Sequence, residues 1–326
     1  MSRQRIPDAV LAAAHARARA REARDWPEAD RLRAEIEGAG WRIVDRGTDF
    51  ALSPAVPPDL EDGGRIRFGS SGAVPSRLDE PAIGVATVVL LGTDWPADLS
   101  RALDGLQATS PEGSTVVIVA DGPSPEQEEA LLDVERVAGA LRGPPALPVE
   151  LVWTRERLGH AAAMNVALRR AIGPVVILLD TSVEPTGDLV TPLARALDDD
   201  TVAVAGAFGI VSSDLRRFED APPGEVDAIE GYCQAFRRAD YALRGPLDEH
   251  FRFYRNLDIW WSLVLRDGGE AAPRRALALP ELPLRRHEHR GYASLPEEER
   301  DRQSRRNFYR ILDRFRDRRD LLVRPG

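Results

Sequence analysis

The clearest pattern of apolar and polar positions lies in Gly159–Pro185, GHAAAMNVALRRAIGPVVILLDTSVEP. Ala162, Val166, Ala167 and Ala171 recur at helical spacing, and Gly173-Pro174 cannot continue the helix. Val175–Leu179 is apolar without alternation, which predicts a strand covered on both faces in a parallel sheet. Asp180 then stands at the carboxyl edge of that strand, where open α/β sheets place their ligands. The rhythm extends upstream: strands Val85–Leu91, Thr115–Ala120 and Glu150–Trp153 alternate with helices Asp98–Gln107 and Pro125–Ala140. Such alternation predicts an α/β fold, a doubly wound, mostly parallel sheet flanked by helices. Beyond Gly206 the pattern becomes irregular and more polar. A long helix closes the chain, with Ser294 and Glu297 spaced as a capping box and Phe308, Ile311, Leu312 and Phe315 as one apolar stripe.

A separate small module precedes this domain. Residues 1–53 read as a helix over Asp8–Arg24, a turn at Asp25-Trp26-Pro27, and a second helix over Glu28–Glu37 that ends at Gly38. Ala29, Leu32 and Ile36 share one face of the second helix, and Trp41–Leu52 alternates around Gly47 like a hairpin. Residues 54–80 concentrate Pro, Gly and Ser and read as a linker, leaving 81–326 as the main domain.

Composition narrows the function classes. The 326 residues suffice for one large α/β domain and a smaller one, and 43% hydrophobic with 30% charged residues is ordinary for a soluble globular chain. The apolar runs fall short of the ~20 residues a membrane span needs. No secretory cleavage pattern follows the first residues, so the expected location is cytoplasmic. With Cys233 as the sole cysteine, an intrachain disulfide and a thiolate metal cluster are excluded. All 44 basic residues are Arg, which removes a Schiff-base or P-loop lysine, and no GxGxxG follows a strand. A net charge of −9 argues against nucleic acid as a partner.

The candidate chemistry is carboxylate chemistry. Asp121 in VVIVADGPS and Asp180 in VVILLDTSVEP both stand at strand ends, and Gly122-Pro123-Ser124 is a turn that lets a ligand approach the backbone. Asp198-Asp199-Asp200 precedes a strand instead of ending one and reads as a solvated turn.

These motifs, in this order, resemble a family 2 glycosyltransferase of the GT-A fold over residues 84–290. The resemblance rests on the opening strand with Thr93-Asp94, on Asp121 with Ser124, on Arg155–Leu168 with Asn165, and on Asp180-Thr181-Ser182 at the Asp-x-Asp position. Downstream it includes Gly231–Tyr241, Pro246–Trp261 and His287–Tyr292. The resemblance implies transfer of a sugar from a nucleotide-diphosphate donor to an acceptor hydroxyl with inversion, aided by a divalent metal, Mg²⁺ or Mn²⁺. It assigns Thr93, Asp94, Asp121, Asn165, Asp180, Asp248 and Glu249 to substrate and Asp180, Ser182 and His287 to metal; Asp258, the carboxylate nearest the family's base position, is the expected catalytic base. Arg285 and Arg286 would pair with phosphate oxygens. Two departures touch the chemistry. Ser182 replaces the second carboxylate of Asp-x-Asp, and Asn256 stands where the family has its base, in Arg255-Asn256-Leu257-Asp258. They motivate an alternative, a catalytically degenerate GT-A-like binding or scaffold protein.

Residues 10–53 resemble the C-terminal tail of bacterial cysteinyl-tRNA synthetases, through Ala20, Arg21, Asp25, Trp26, Ala29-Asp30, Leu32-Arg33, Gly40, Asp45 and Gly47-Thr48. Ten Arg against nine Asp and Glu in residues 1–53 favour a packing module over an RNA binder, one serving as an oligomerisation or partner surface.

Overall fold

The computed structural model describes residues 6–46, 49–140 and 147–323. The chain divides into two compact units, Met1–Glu61 and Asp62–Gly326. In the first, α1 (Asp8–Glu22) and α2 (Trp26–Gly38) precede an antiparallel pair, β1 (Trp41–Arg46) and β2 (Asp49–Pro54). Asp25 caps α2 by accepting the Glu28 N–H at 3.2 Å, and Pro27 occupies the first turn, where its missing N–H costs nothing. Val10, Ala14, Leu32, Ile36, Trp41 and Ile43 form this unit's own core. Gly47 and Thr48, about which the sequence alternates, lie outside the described residues.

β3 (Leu60–Asp62) and β4 (Arg65–Phe68) follow, then β5 (Ala86–Leu91), α3 (Pro96–Thr109), β6 (Ser114–Ala120), α4 (Pro125–Ala140), β7 (Val149–Thr154), α5 (His160–Arg170) and β8 (Val175–Leu179). The second half contains β9 (Val183–Pro185), α6 (Val190–Ala196), β10 (Val202–Gly206), β11 (Gly209–Ser212), β12 (Phe218–Ala221), β13 (Gly224–Val226), β14 (Ala228–Ile229), β15 (Cys233–Arg237) and α7 (Arg238–Arg244). It closes with α8 (Leu257–Arg266), β16 (Arg275–Ala278), β17 (Leu284–Arg286), α9 (Arg290–Ala293) and α10 (Glu297–Phe315).

The main sheet runs β13-β16-β10-β15-β8-β5-β6-β7-β4-β3. Its centre, β8-β5-β6-β7, is parallel, while β15 enters antiparallel between β8 and β10. Side chains alternate between two cores. Val89, Val117, Val119, Val176 and Leu178 meet α5, α7 and α8, and Val88, Leu90, Ile118, Ile177 and Leu179 meet α3 and α6. Burial on both faces explains the unbroken apolar runs read in the sequence. From β5 the chain winds outward through β6 and β7, then returns to β8 on the other side of β5. The switch point therefore falls between β5 and β8.

Two expectations are revised. Residues 54–80 contain paired structure: β4 joins β7 in parallel, with Arg67 opposite Trp153 and Phe68 opposite Thr154. The Arg65 and Arg67 guanidiniums lie 5.6 and 5.0 Å from the Trp153 ring centroid, so β4, with β3 outside it at the edge, covers an aromatic that would otherwise face water. Pro and Gly punctuate turns here. The capping box at Ser294 does not form either. Pro296 is the N-cap of α10 and has no side-chain donor or acceptor to offer, while the Ser294 hydroxyl turns back to the Gly291 carbonyl at 3.3 Å.

Candidate active site

Three neighbouring strands end in polar residues at one edge of the sheet. β5 leads to Thr93-Asp94, β6 to Asp121 and β8 to Asp180. Because β5 lies between the other two, Asp121 and Asp180 leave strands about 10 Å apart, two inter-strand spacings. All four residues wall one cavity of about 730 Å³, which also reaches His160, Glu230, Asp258 and His289. That volume is within the range that takes a drug-sized ligand.

Asp121 is 2% exposed, and its Oδ1 accepts the Leu158 N–H at 2.8 Å with the Thr154 hydroxyl 3.2 Å away. Burial raises its pKa above the usual carboxylate range, against the pull of these hydrogen bonds. The adjoining Gly122 has φ of 52°, and a Cβ there would lie 2.5 Å from the Arg157 nitrogen. The bend is thus packed against the loop that supplies the Leu158 N–H. Arg157 in turn pairs with Asp94 at 3.0 Å, tying the loop to the end of β5. The Thr93 carbonyl accepts the Ser124 N–H at 2.9 Å and orders the same turn.

At the end of β8, Asp180 Oδ1 accepts the Ser182 N–H at 2.8 Å and faces the Ser182 hydroxyl at 2.5 Å. Its Oδ2 lies 3.3 Å from His289 Nε2. Burial works against the charge on both groups, yet the pairing prevails: the Asp180 pKa is lowered and the His289 pKa raised. The Tyr254 ring stacks on the His289 imidazole at 4.6 Å between centroids, fixing its plane. Burial holds His160 at a pKa of about 4, so it is neutral at physiological pH.

Asp180, Ser182 and His289 are thus the donors available to a divalent ion. Their carboxylate oxygen, hydroxyl and imidazole nitrogen suit Mg²⁺ or Mn²⁺ in kind, but with one negative charge among them the site is weak. Among the described residues no group of three or more His, Cys, Asp and Glu could hold a metal.

His287, expected at the metal, points elsewhere. β17 pairs antiparallel with β9, the pairing continues through the His287 N–H to the Ser182 carbonyl, and His287 Nε2 meets Glu184 at 2.7 Å. The chain then turns into α9, and that turn brings His289 to Asp180. Arg285 sits 3.6 Å from Glu184 and Arg286 3.8 Å from Glu230, and neither of these two arginines expected at phosphate lines the cavity.

Asn165 is 1% exposed on α5 and spends its amide inside the fold. Its Nδ2 donates to the Leu247 carbonyl at 2.9 Å and to Glu249 Oε1 at 3.0 Å, while its Oδ1 accepts the Tyr241 hydroxyl at 3.1 Å and the Leu247 N–H at 2.9 Å. Glu249 also takes the Ser71 hydroxyl, and Asp248 pairs with His250 at 2.6 Å and Arg310 at 3.5 Å. None of these three lines the cavity. Asn256 does line it, but its Nδ2 donates to the Ser304 carbonyl at 3.0 Å, and its φ of 70° sets the start of α8. Asp258, in the first turn of α8, accepts the Gly231 N–H on Oδ2 at 2.8 Å and the Ile259 N–H on Oδ1 at 2.9 Å.

Sequence reasoning missed Glu230, Trp95 and the prominence of His289. Trp95-Pro96 carried a signal, since the residue before a proline resists the helix and proline favours its first turn; Trp95 adopts φ of 67° and faces the cavity.

The model of the family described as "Glycosyl transferase family 2" matches residues 94–258, half of the chain. The fold is similar to GalNAc-T7 solved with UDP, GalNAc and Mn²⁺, with a TM-score of 0.56 and 15% identity over 72% of this chain. The chain spans about half of that structure's length, 49%. It is also similar to the mannosyltransferase PcManGT of Pyrobaculum calidifontis, solved with GDP-Man and Mn²⁺, with a TM-score of 0.53, 20% identity, and coverage of 74% of this chain and 67% of the other. No curated protein matches the chain. Among the described residues, no helix is long and apolar enough to cross a membrane.

Proposed function

Starting from a chain that belongs to glycosyl transferase family 2, we propose that it moves a sugar from a nucleotide-diphosphate donor to an acceptor hydroxyl, with inversion at the anomeric carbon. The observation that carries this reading is the convergence of Asp121, Asp180, Glu230 and Asp258, from four separate stretches of chain, on one cavity at the switch point of the sheet.

Each group has a task suited to its surroundings. Asp121, held by the Leu158 N–H, stands on the cavity wall as an acceptor for hydrogen bonds from the nucleoside. Arg157, Arg252 and Arg290 line the cavity and offer guanidinium forks to diphosphate oxygens. Asp180, Ser182 and His289 are the residues that would hold Mg²⁺ or Mn²⁺, whose chemistry there is to neutralise charge on the departing diphosphate. His160, neutral and half-buried beside them, adds a hydrogen-bonding ring without repelling a cation. The Glu230–Asp258 pair receives the acceptor's proton. A single displacement needs one such base and an in-line path for the acceptor oxygen.

Purified protein incubated with UDP-, GDP- and dTDP-sugars and Mn²⁺ or Mg²⁺ tests the reading. At least one donor is expected to raise the melting temperature and to be consumed, with the anomeric configuration of the product inverted by NMR. If no donor binds and none is consumed, the reading is lost. Binding without turnover favours the degenerate-scaffold alternative, which the tethered Asn256 amide supports. For residues 1–53 we propose a partner or oligomerisation surface, supported by exposed Leu11, Trp26 and Val44.

A further inference from the structure

Building on that reading, we infer that Glu230, and not Asp258, takes the proton from the acceptor hydroxyl, while both oxygens of Asp258 stay engaged by backbone N–H groups. The two carboxylates meet where the β14–β15 turn closes on α8. Gly231, the residue after Glu230, has no side chain and lies directly against Asp258; a Cβ there would sit 3.3 Å from the Asp258 Cβ. This close approach lets the Gly231 N–H reach Asp258 Oδ2 at 2.8 Å, and it sets Glu230 beside that carboxylate on the cavity wall.

The pair is divided by its hydrogen bonds. Each oxygen of Asp258 accepts a backbone N–H, from Gly231 and from Ile259, and such bonds favour the ionised form. Glu230 uses its own N–H on the Phe208 carbonyl at 2.9 Å, and among the described residues its carboxylate has one ionic neighbour, Arg286, at the long distance of 3.8 Å. Arg286 is held back by two aromatic rings, with its guanidinium 4.6 Å from the Tyr232 centroid and 5.2 Å from that of Phe208. The Glu230 side chain keeps 27% exposure, enough for an acceptor to reach it.

The surrounding charges raise its basicity. Burial and then the Asp258 charge push the Glu230 pKa above the usual carboxylate range; Arg286 opposes this, Asp220 adds to it, and Arg255 opposes it. Burial raises the Asp258 pKa as well, against the Gly231 and Ile259 N–H bonds and Arg255, so what divides the work is geometry: both Asp258 oxygens are engaged by backbone N–H groups, while Glu230 is open to the acceptor. In the step, the acceptor O–H bond breaks and its proton moves to a Glu230 oxygen. The freed electron pair forms the new bond to the anomeric carbon, and the bond from that carbon to the diphosphate oxygen breaks, with its electrons leaving on the diphosphate.

Glu230→Gln, Glu230→Asp and Asp258→Asn, compared with wild type on the donor that wild type consumes, form the test. Folding is checked by melting temperature, and donor-site integrity by calorimetry with UDP or GDP. Glu230→Gln is expected to bind nucleotide as wild type does and to lose transfer by roughly 10²–10⁴-fold, the range of a general base. Glu230→Asp should recover part of the rate, and the acidic limb of the wild-type pH–rate profile should vanish in Glu230→Gln. If Glu230→Gln binds nucleotide and transfers within a fewfold of wild type, or if Asp258→Asn binds nucleotide but is the variant that loses the limb, the assignment is overturned and the transferase reading stands. A wild-type protein that neither binds nor consumes any donor overturns both.

Discussion

His289 Nε2 lies 3.3 Å from Asp180 Oδ2, joining the turn before α9 to the end of the central strand β8. His287, two residues earlier, meets Glu184 at 2.7 Å on the β17–β9 ribbon. The two histidines are therefore expected to behave differently. His289→Ala should raise the Mn²⁺ concentration needed for half-maximal transfer by roughly 10–100-fold, the scale on which the surroundings of a metal set its affinity, while His287→Ala should change it little. Mn²⁺ titration of the transfer rate checks this, and equal effects of the two substitutions would remove His289 from the metal site.

Asp121 gives a prediction in pH. Burial raises its folded-state pKa, so it takes up a proton at a higher pH than an exposed aspartate and then loses an acceptor facing the cavity. UDP or GDP affinity should fall as pH is lowered, beginning above the ordinary carboxylate range. Asp121→Asn should bind more weakly by about 1–3 kcal/mol, the cost of a lost hydrogen bond to a charged group, and should lack this pH dependence. The sign reverses for stability. A raised carboxylate pKa means that the fold disfavours the charge above that pKa, so the variant should melt no lower than wild type at neutral pH. Calorimetry across pH, with parallel melting curves, measures both.

Asn165 should prove structural. Replacing it with Leu removes four hydrogen bonds and leaves the Leu247 N–H and carbonyl and the Tyr241 hydroxyl without their partner in a buried site. Each orphaned group costs about 1–3 kcal/mol, so the urea midpoint should fall by several kcal/mol equivalent. Nucleotide affinity of the fraction that remains folded should be close to wild type. A large loss of affinity with an unchanged midpoint would return Asn165 to the substrate.

The sequence made the sheet and its polar edge legible for one reason: strands buried on both faces must be continuously apolar, so Asp121 and Asp180 stand out where the runs stop. Residues 60–68 hid because the two short strands at this end of the sheet are polar or alternate Arg with apolar residues, among Pro and Gly, which mimics a linker. Asn165 is assigned to substrate by resemblance alone, which carries no information on which way its side chain turns, whereas it is turned inward to bond the backbone at Leu247. The choice between His287 and His289 depended on where an extended segment ends and a short helix begins, a boundary with no period to mark it. Glu230 had no motif at all. Its importance comes from Gly231 packing on Asp258, a contact between residues far apart in sequence.

Gly122 tests whether the nucleotide side depends on that packing. Its φ of 52° alone disfavours a side chain, and a Cβ would also lie 2.5 Å from the Arg157 nitrogen and 2.9 Å from its Cα, both backbone atoms that cannot swing aside. Gly245 is a matched control, with φ of 83° and, among the described residues, nothing within 4 Å of an added Cβ. Gly245→Ala, at φ of 83° and ψ of −179°, should cost about 1–3 kcal/mol, the penalty of a backbone conformation that side chains disfavour, and leave UDP or GDP affinity unchanged. Gly122→Ala should carry the same penalty and in addition push the 155–158 loop outward, lengthening the hydrogen bond from the Leu158 N–H to Asp121. Nucleotide affinity should therefore fall in Gly122→Ala alone. Urea denaturation and calorimetry on the two variants separate the backbone cost from the displaced loop, and parallel behaviour would mean that Asp121 keeps its geometry without the bend.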